Sequence, residues 1–440
     1  MSKARLDGIY LLVLGSALFL LLGTAVERTH AASYGMEDFK AIYFGAKCVL
    51  QHCDPYARTQ FVRVFEAAGE TFPSDPAAAR SVSQAIPICI NLPTSLFVIA
   101  PFTFLPLGLA ELLWGFLTAG LLILAGFFVW TLVPDTAATT SGALIALLIA
   151  GSELLLLVGN AAGVVVSLCV IAACCLVRQR FVWAGVLCLA ISLVIKPQDG
   201  CLVWLYFLLA GGIYRKRALQ SLVVTAALVL PAVLWVAYVS PHWMQELHAN
   251  LRLTSVRGGL NDPGPSSLGG HGLGMVISLQ ALISMYRDDA RIYNPISWLV
   301  CGLLLLVWIV RTLRSRATSR SSWFALASIA ALSMLPVYHR SYDARLLLLA
   351  IPACAIVWLE KKLAGWCALL LTAVAILLTG DLFWAFFFIL ADRLHFSNHL
   401  APWTMDALQV FPAPLILLVA SLFYLWIYLR EKPRALEADV

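Results

Sequence analysis

Residues 325–359 read ALASIAALSMLPVYHRSYDARLLLLAIPACAIVWL. Two apolar runs flank the eight residues YHRSYDAR, Tyr338 to Arg345, which hold two arginines, a histidine, an aspartate and two tyrosines. A run of this kind, joined to its neighbour by a short polar link, reads as two helices in a hydrocarbon solvent meeting at a chemically dense corner. The pattern recurs along the whole chain. Of 440 residues, 61% are hydrophobic and only 12% charged, and the mean hydropathy is +0.87. A water-soluble core cannot hide so much apolar surface. The weakly alternating segments of a membrane β-barrel are absent, and the runs have helical length, so the fold class is an all-α polytopic membrane protein.

The net charge of +6 is no sign of nucleic-acid binding. The basic residues lie in short blocks between apolar runs: Lys3/Arg5, Arg178/Arg180, Arg215/Lys216/Arg217, Arg311/Arg314/Arg316/Arg320, Lys361/Lys362 and Arg430/Lys432/Arg434. The positive-inside rule places these blocks in the cytoplasm. About twelve transmembrane helices result, with both termini inside. The run after MSKAR is read as a retained first helix rather than a removed signal peptide. Residues 88–105 carry Pro87, Pro93, Pro101 and Pro106 in or beside them; they are expected to re-enter or lie on the membrane rather than span it. Residues 1–430 form a single transmembrane domain and 431–440 a cytoplasmic tail. The long loops 27–86 and 241–293, the Lys196-Pro197 tip, the shorter loops 339–343 and 391–406, and Gly159-Asn160 then all face outside. Functional residues favour long, chemically varied loops, so the working surface is extracytoplasmic, as in a bacterial-type inner membrane with its active face toward the periplasm.

The first outer loop contains EDFKAIYFGAKCVLQHCDPY, residues 37–56. Apolar residues at 39, 42, 43, 46 and 49 predict an amphipathic helix along the membrane surface. Glu37 and Asp38 fall in its first turn, where the helix dipole favours a carboxylate. Capping and catalysis are both open readings of Asp38 on these grounds. Asp54-Pro55-Tyr56 reads as a turn. Cys48 and Cys53 are in a polar loop, and whether they form a disulfide depends on the compartment. The other cysteines lie mostly in apolar runs and read as packing residues. No CxxC or HExxH spacing occurs, so no metal or cofactor site is indicated.

Lys196 stands between two short apolar runs and needs an anion, with Asp199 a candidate partner, unless it snorkels to the interface. Glu153 lies deep in an apolar run. Arg340 and Arg345 suit bidentate contact with a phosphate, with His339 adding a hydrogen bond; the structural alternative is that either arginine pairs with Asp343. The loop NDPGPSSLGGHGLG, residues 261–274, is rich in glycine and proline and has no P-loop pattern; His271 is its candidate substrate contact.

These segments, in this order, resemble glycosyltransferase family 87 of the GT-C superfamily, which is similar to polyprenyl-phosphate-mannose-dependent mannosyltransferases. EDFKAIYFGAKCVLQHCDPY resembles the family's first outer loop. NLPTSLFVIAPFTFLPLGLAELLW, residues 91–114, is similar to its Pro-rich segment. GNAAGVVVSL, residues 159–168, stands where members carry GQ, with Asn160 in place of Gln. WAGVLCLAISLVIKPQ, residues 183–198, and YHRSYDARLLLLAIP, residues 338–352, resemble two later motifs. The resemblance covers residues of about 8–360.

The resemblance implies a GT-C type transferase whose outer loops form the active site. It would move one hexose, such as mannose, from a polyprenyl-phosphate carrier to a lipid or glycan acceptor, inverting the anomeric centre. Asp38 is then the general base, and Lys196, His339, Arg340 and Arg345 bind the donor phosphate. Glu37, Tyr43, Asp54, Tyr56, Asn160, Gln198, His271, Tyr342 and Asp343 are the further substrate-contact candidates. No cofactor or metal is implied. Two other classes fit the composition: a transporter or flippase of a lipid-linked or small anionic substrate, and a polymerase or ligase of lipid-linked polysaccharide.

Overall fold

The computed structural model of the chain describes residues 2–30, 35–71, 86, 88–265, 267, 275–360, 362–394, 407, 408 and 410–431. Among these residues every extended element is helical, and the one β feature is an isolated antiparallel bridge between Val276 and Arg340. Among the described residues seven helical stretches are long and apolar enough to cross a membrane: Lys3–Gly23, Leu107–Leu132, Asp135–Val158, Gly212–Val239, Ala290–Arg314, Ser341–Trp358 and Pro412–Arg430. Leu363–Leu378 and Asp381–Arg393, bent by 64° at their junction, make an eighth if taken together. The other apolar runs expected to span are helical but shorter: Ala162–Val177, Val182–Ile195, Pro197–Leu209 and Ser319–Leu332.

The helices sort by which faces are apolar. Ala162–Val177 is buried at every position and forms the centre of the bundle; a helix that is apolar all round has no face to give to water or a reason to keep one for lipid. It packs against Leu107–Leu132, Val182–Ile195, Pro197–Leu209 and the 3-10 helix Ser341–Leu349. Gly212–Val239 and Ala290–Arg314 lie at the rim, with Leu230, Leu234, Leu299 and Leu303 exposed to the surrounding lipid.

The segment 88–105 folds as a short helix, Pro93–Ile99, followed by a 3-10 turn over Ala100–Phe104. The first outer loop forms Glu37–Leu50 and Arg58–Ala67, with Cys48 and Cys53 joined in a disulfide. One expectation is corrected here. Glu37–Leu50 does not lie on the surface with a free face; ten of its residues, from Phe39 to Val49, are buried. Gly45 allows this, since a Cβ there would stand 2.9 Å from a Leu96 methyl. The second long loop forms Trp243–Ser255 and Leu279–Ser284. Between them the chain returns beneath the late corner: Ile277 N–H donates to the His339 carbonyl at 2.9 Å, and Ser341 N–H to the Met275 carbonyl at 3.0 Å. His271 and most of the loop 391–406 lie outside the described residues.

Candidate active site

Asp38 is placed by a glycine. The Glu153–Val158 helix ends at Gly159, whose φ is 64°, a left-handed value that favours glycine. A Cβ at Gly159 would stand 2.6 Å from the Met36 sulfur and 2.8 Å from Phe39 Cβ. Its absence lets the start of the Glu37–Leu50 helix dock, and Met36 N–H donates to the Leu157 carbonyl at 2.7 Å. Trp114 Nε1 donates to the Gly159 carbonyl at 2.8 Å and stacks on Phe39 with ring centres 5.3 Å apart. Asn160 is thereby brought beside Asp38. Its Nδ2 donates to Asp38 Oδ2 at 2.7 Å and to the Tyr342 hydroxyl at 3.0 Å, while its Oδ1 accepts from Ala162 N–H at 2.8 Å. Burial raises the Asp38 pKa above the ordinary carboxylate value; the Asn160 hydrogen bond and the charges of Arg340 and Lys196 oppose the rise. Glu37, next to it, is pushed up to about 7, by burial first and by the Asp38 charge second.

Lys196 is placed by a proline. It ends one helix and begins the next, with Pro197 at the first position of the second. Proline has no N–H to continue the ladder, so the carbonyls before it are left open. Thr94 and Ser95, at the start of the Pro93–Ile99 helix, donate their hydroxyls to the Val194 and Ile195 carbonyls at 2.5 and 2.6 Å. The break is thus filled from the Pro-rich segment, and the lysine is held in place. Its Nζ lies 2.5 Å from Asp343 Oδ1 and 3.1 Å from Asp199 Oδ2, and 5.6 Å from the centre of the Tyr342 ring. The Asp199 partner expected for it is present; Asp343 is a second.

The YHRSYDAR corner supplies the rest. His339 is buried, with Nε2 3.4 Å from Asp199 Oδ1. Burial works against its imidazolium, but the Asp199 hydrogen bond and the carboxylates of Asp343 and Asp199 outweigh it and raise its pKa. Arg340 N–H donates to Asp343 Oδ2 at 2.8 Å, its Nε donates to the Tyr338 hydroxyl, and its Nη2 donates to the Leu260 carbonyl at 2.8 Å. One connected array results, running Asp38–Asn160–Tyr342–Lys196 and on to Asp343, Asp199 and His339. The ligand atoms of Asp199, His339 and Asp343 lie within 4.8 Å of one another, a spacing that suits a metal ion, but the Lys196 ammonium already pairs with both carboxylates.

This array joins a carboxylate to a group of cations at a corner between apolar helices, an arrangement suited to taking a proton from one group while stabilising an anion on another. A family model, described as glycosyltransferase family 87, matches residues 90–337. The chain belongs to glycosyltransferase family 87. Neither the curated proteins nor the solved structures contain a match to it. Asn160, Lys196 and Asp199 fall inside the matched span of this family 87 glycosyltransferase; Asp38 and His339 to Asp343 lie outside it and are joined to it by the contacts above.

Several residues grouped with the site by sequence are engaged elsewhere. Arg345 is fully buried and does not pair with Asp343. It donates to the carbonyls of Gly151 at 2.6 Å and Thr379 at 3.3 Å, and to Asp381 Oδ2 at 3.2 Å. With about three residues per 3-10 turn, a residue two beyond Asp343 faces another direction, so Arg345 is set in the core, apart from the array. The clasp of Asp343 by an arginine side chain is likewise replaced by Lys196. Tyr43 donates to the Leu105 carbonyl and Tyr56 to the Asn91 carbonyl, both at 2.9 Å, which ties the first loop to the Pro-rich segment. Asp54 makes the expected turn, accepting from Tyr56 N–H at 2.9 Å, and also accepts from the Ser240 hydroxyl at 2.9 Å. These three residues knit loops together. Gln198 is exposed at the break. Glu153 is buried, beside the Arg345–Asp381 pair. Thr94, Ser95 and Gly159 escaped sequence reasoning as parts of the site; the signals for them were hydroxyls following Pro93 and a glycine between two apolar helices.

Proposed function

We propose that this membrane glycosyltransferase moves a single hexose, mannose or a related sugar, from a polyprenyl-phosphate carrier to a lipid or glycan acceptor, with inversion. The observation that carries this reading is the array itself, in which Asp38 is held by Asn160 within the field of Arg340 and Lys196. Inversion needs one base on the acceptor side and cationic stabilisation on the leaving side. Asn160 occupies Asp38 Oδ2, which leaves Oδ1 to receive the acceptor hydroxyl proton. The acceptor oxygen then attacks the anomeric carbon, the bond to the carrier phosphate oxygen breaks, and the phosphate leaves with the bonding electron pair. Lys196, Arg340 and a protonated His339 stabilise the charge that develops there. The isoprenoid tail lies between helices in the membrane.

The reading also places the site outside the cytoplasm. The basic blocks support that orientation, as does the Cys48–Cys53 disulfide of the same outer loop as Asp38, because disulfides persist in oxidising compartments. The test is sugar transfer by the purified chain from a radiolabelled polyprenyl-phosphate hexose to cognate membrane lipids. Transfer by the wild type and none by Asp38→Asn, with donor binding kept, is the expected outcome. Transport of the intact donor across vesicles without sugar transfer would falsify the proposal in favour of a flippase.

A further inference from the structure

At the far end of the Ala290–Arg314 helix lies a groove with no part in the array. Ser297, near the start of this helix, donates its hydroxyl to the Leu335 carbonyl at 3.2 Å, close to the catalytic corner. Arg311 is fourteen residues further on, or roughly 21 Å along the helix axis. The groove runs between this helix and Pro412–Arg430, is lined by Leu306, Val307, Val310, Arg311, Arg314 and Leu429, and has a volume of about 470 Å³. Leu306, Val307, Val310 and Leu429 are all exposed, while Trp308 points inward and is fully buried. The groove is therefore part of the face turned toward lipid.

Its two arginines have no carboxylate partner among the described residues. Arg311 Nε donates to the Tyr428 carbonyl at 3.1 Å, Nη2 donates to the Glu431 carbonyl, and the guanidinium stands 5.5 Å from the centre of the Tyr428 ring. These contacts fix its direction, and they are to carbonyl oxygens and a ring rather than to a carboxylate. The Glu431 carboxylate goes to Arg320 instead, at 3.0 Å. Arg314 lies one turn beyond Arg311, is exposed, and has no ion-pair partner among the described residues. Arg430 ends the neighbouring helix, also exposed.

We propose that this groove binds one anionic glycerophospholipid of the leaflet opposite the catalytic array. Its phosphate would sit between Arg311 and Arg314, and an acyl chain would run back along Val310, Val307 and Leu306. An apolar channel that ends in two guanidinium groups, with no ion-pair partner among the described residues, matches an ion with a hydrocarbon tail. A zwitterionic lipid lacks the net charge, and a free phosphate makes no use of the channel.

The test uses the full chain in phosphatidylcholine nanodiscs doped with phosphatidylglycerol, with retained lipid read by native mass spectrometry after transfer to detergent. Wild type is expected to retain phosphatidylglycerol over phosphatidylcholine. Arg314→Gln is expected to lower that retention about tenfold, the loss of one charged hydrogen bond. Val310→Trp, which keeps both charges and fills the channel, is expected to lower it as well. Arg178→Gln with Arg180→Gln, another basic pair, is expected to change nothing. Full retention in Arg314→Gln overturns the proposal, and so does full retention in Val310→Trp, which reduces the site to attraction at the surface. Displacement of the lipid by soluble glycerol phosphate, or preferential retention of polyprenyl phosphate, overturns the choice of ligand. Both point variants alter exposed side chains, and an unchanged melting temperature confirms that they fold.

Discussion

Asn160 Nδ2 sits 2.7 Å from Asp38 Oδ2, and the orientation of that amide is decided by its other end, where Oδ1 accepts from Ala162 N–H at 2.8 Å. The amide cannot flip without losing the Ala162 bond and turning an oxygen toward a carboxylate. Asp38 therefore has one oxygen held and one available. Asp38→Asn is expected to lower sugar transfer by about 10²- to 10⁴-fold, the usual contribution of a general base, with the melting temperature nearly unchanged. Asn160→Ala is expected to cost roughly 10- to 150-fold, the worth of one hydrogen bond to a charged group. Asn160→Gln, the residue other family members carry in the resemblance, should retain more activity than Ala. Steady-state kinetics on the three variants checks this, and an Asp38→Asn variant near wild-type rate would move the base elsewhere.

The pH profile gives a second check. A base works only when ionised, and the Asp38 pKa is raised in the folded chain. Activity is therefore expected to fall on the acid side at a pH above the ordinary aspartate value of 3.8. The Asn160 hydrogen bond stabilises the ionised form and lowers the pKa. Its removal in Asn160→Ala is expected to move the acid limb to higher pH. Glu37, at about 7, is the other carboxyl that titrates nearby, so Glu37→Gln is the control and is expected to leave the limb in place. Disappearance of the limb in Glu37→Gln would assign it to Glu37.

Lys196 holds Asp199 and Asp343, and under the proposed function it also meets the donor phosphate; a double variant separates the two roles. Lys196→Gln leaves Asp343 without its cation and Asp199 with His339 alone, and the loss of a buried partner costs about 3–5 kcal/mol. Adding Asp343→Asn removes one of the stranded charges and is expected to restore much of the stability. Affinity for a polyprenyl-phosphate sugar is expected to stay low in both variants, because the phosphate still lacks the ammonium. Recovery of donor affinity in the double variant would leave Lys196 a purely structural clasp. Arg340→Gln is expected to weaken donor binding with little loss of stability, since its backbone N–H to Asp343 is kept.

Arg345 behaves in the opposite way. It fills the junction of two interrupted helices, where Asp381 N–H donates to the Gly151 carbonyl at 3.0 Å and the chain bends by 64°. Arg345→Ala is expected to destabilise the chain by about 3–5 kcal/mol by stranding Asp381, and to reduce yield more than donor affinity among the molecules that fold. Thermal unfolding in detergent and donor binding, measured on the same sample, decide between this and a direct phosphate contact.

Gly159 tests how the site is assembled. Gly159→Ala meets both a left-handed φ of 64° and contacts under 3 Å with Met36 and Phe39. It is expected to push the Glu37–Leu50 helix away from Asn160, lowering transfer at least as much as Asn160→Ala. Loss of protection from hydrogen exchange over residues 37–50 is the structural readout.

The sequence by itself determined the class of this protein. Apolar runs of helical length leave no other solution for the backbone in lipid than helices, and the ordered motifs around Asp54-Pro55, Gly159-Asn160, Lys196-Pro197 and Tyr338–Arg345 carried the family resemblance that the match over residues 90–337 bears out. The pairing of Lys196 with Asp199 was legible because one helical turn separates them. The tertiary structure alone decided which charges meet. Asp38, Asn160, Lys196 and Asp343 are far apart in the chain, and side-chain chemistry does not encode which distant helix a residue will face. Arg340 and Arg345 look equivalent in sequence, yet the turn of a 3-10 helix sends one to the array and the other into the core. The same limit applies to Tyr43, Asp54 and Tyr56, whose polar groups suit a ligand as well as a neighbouring loop until packing assigns their partners.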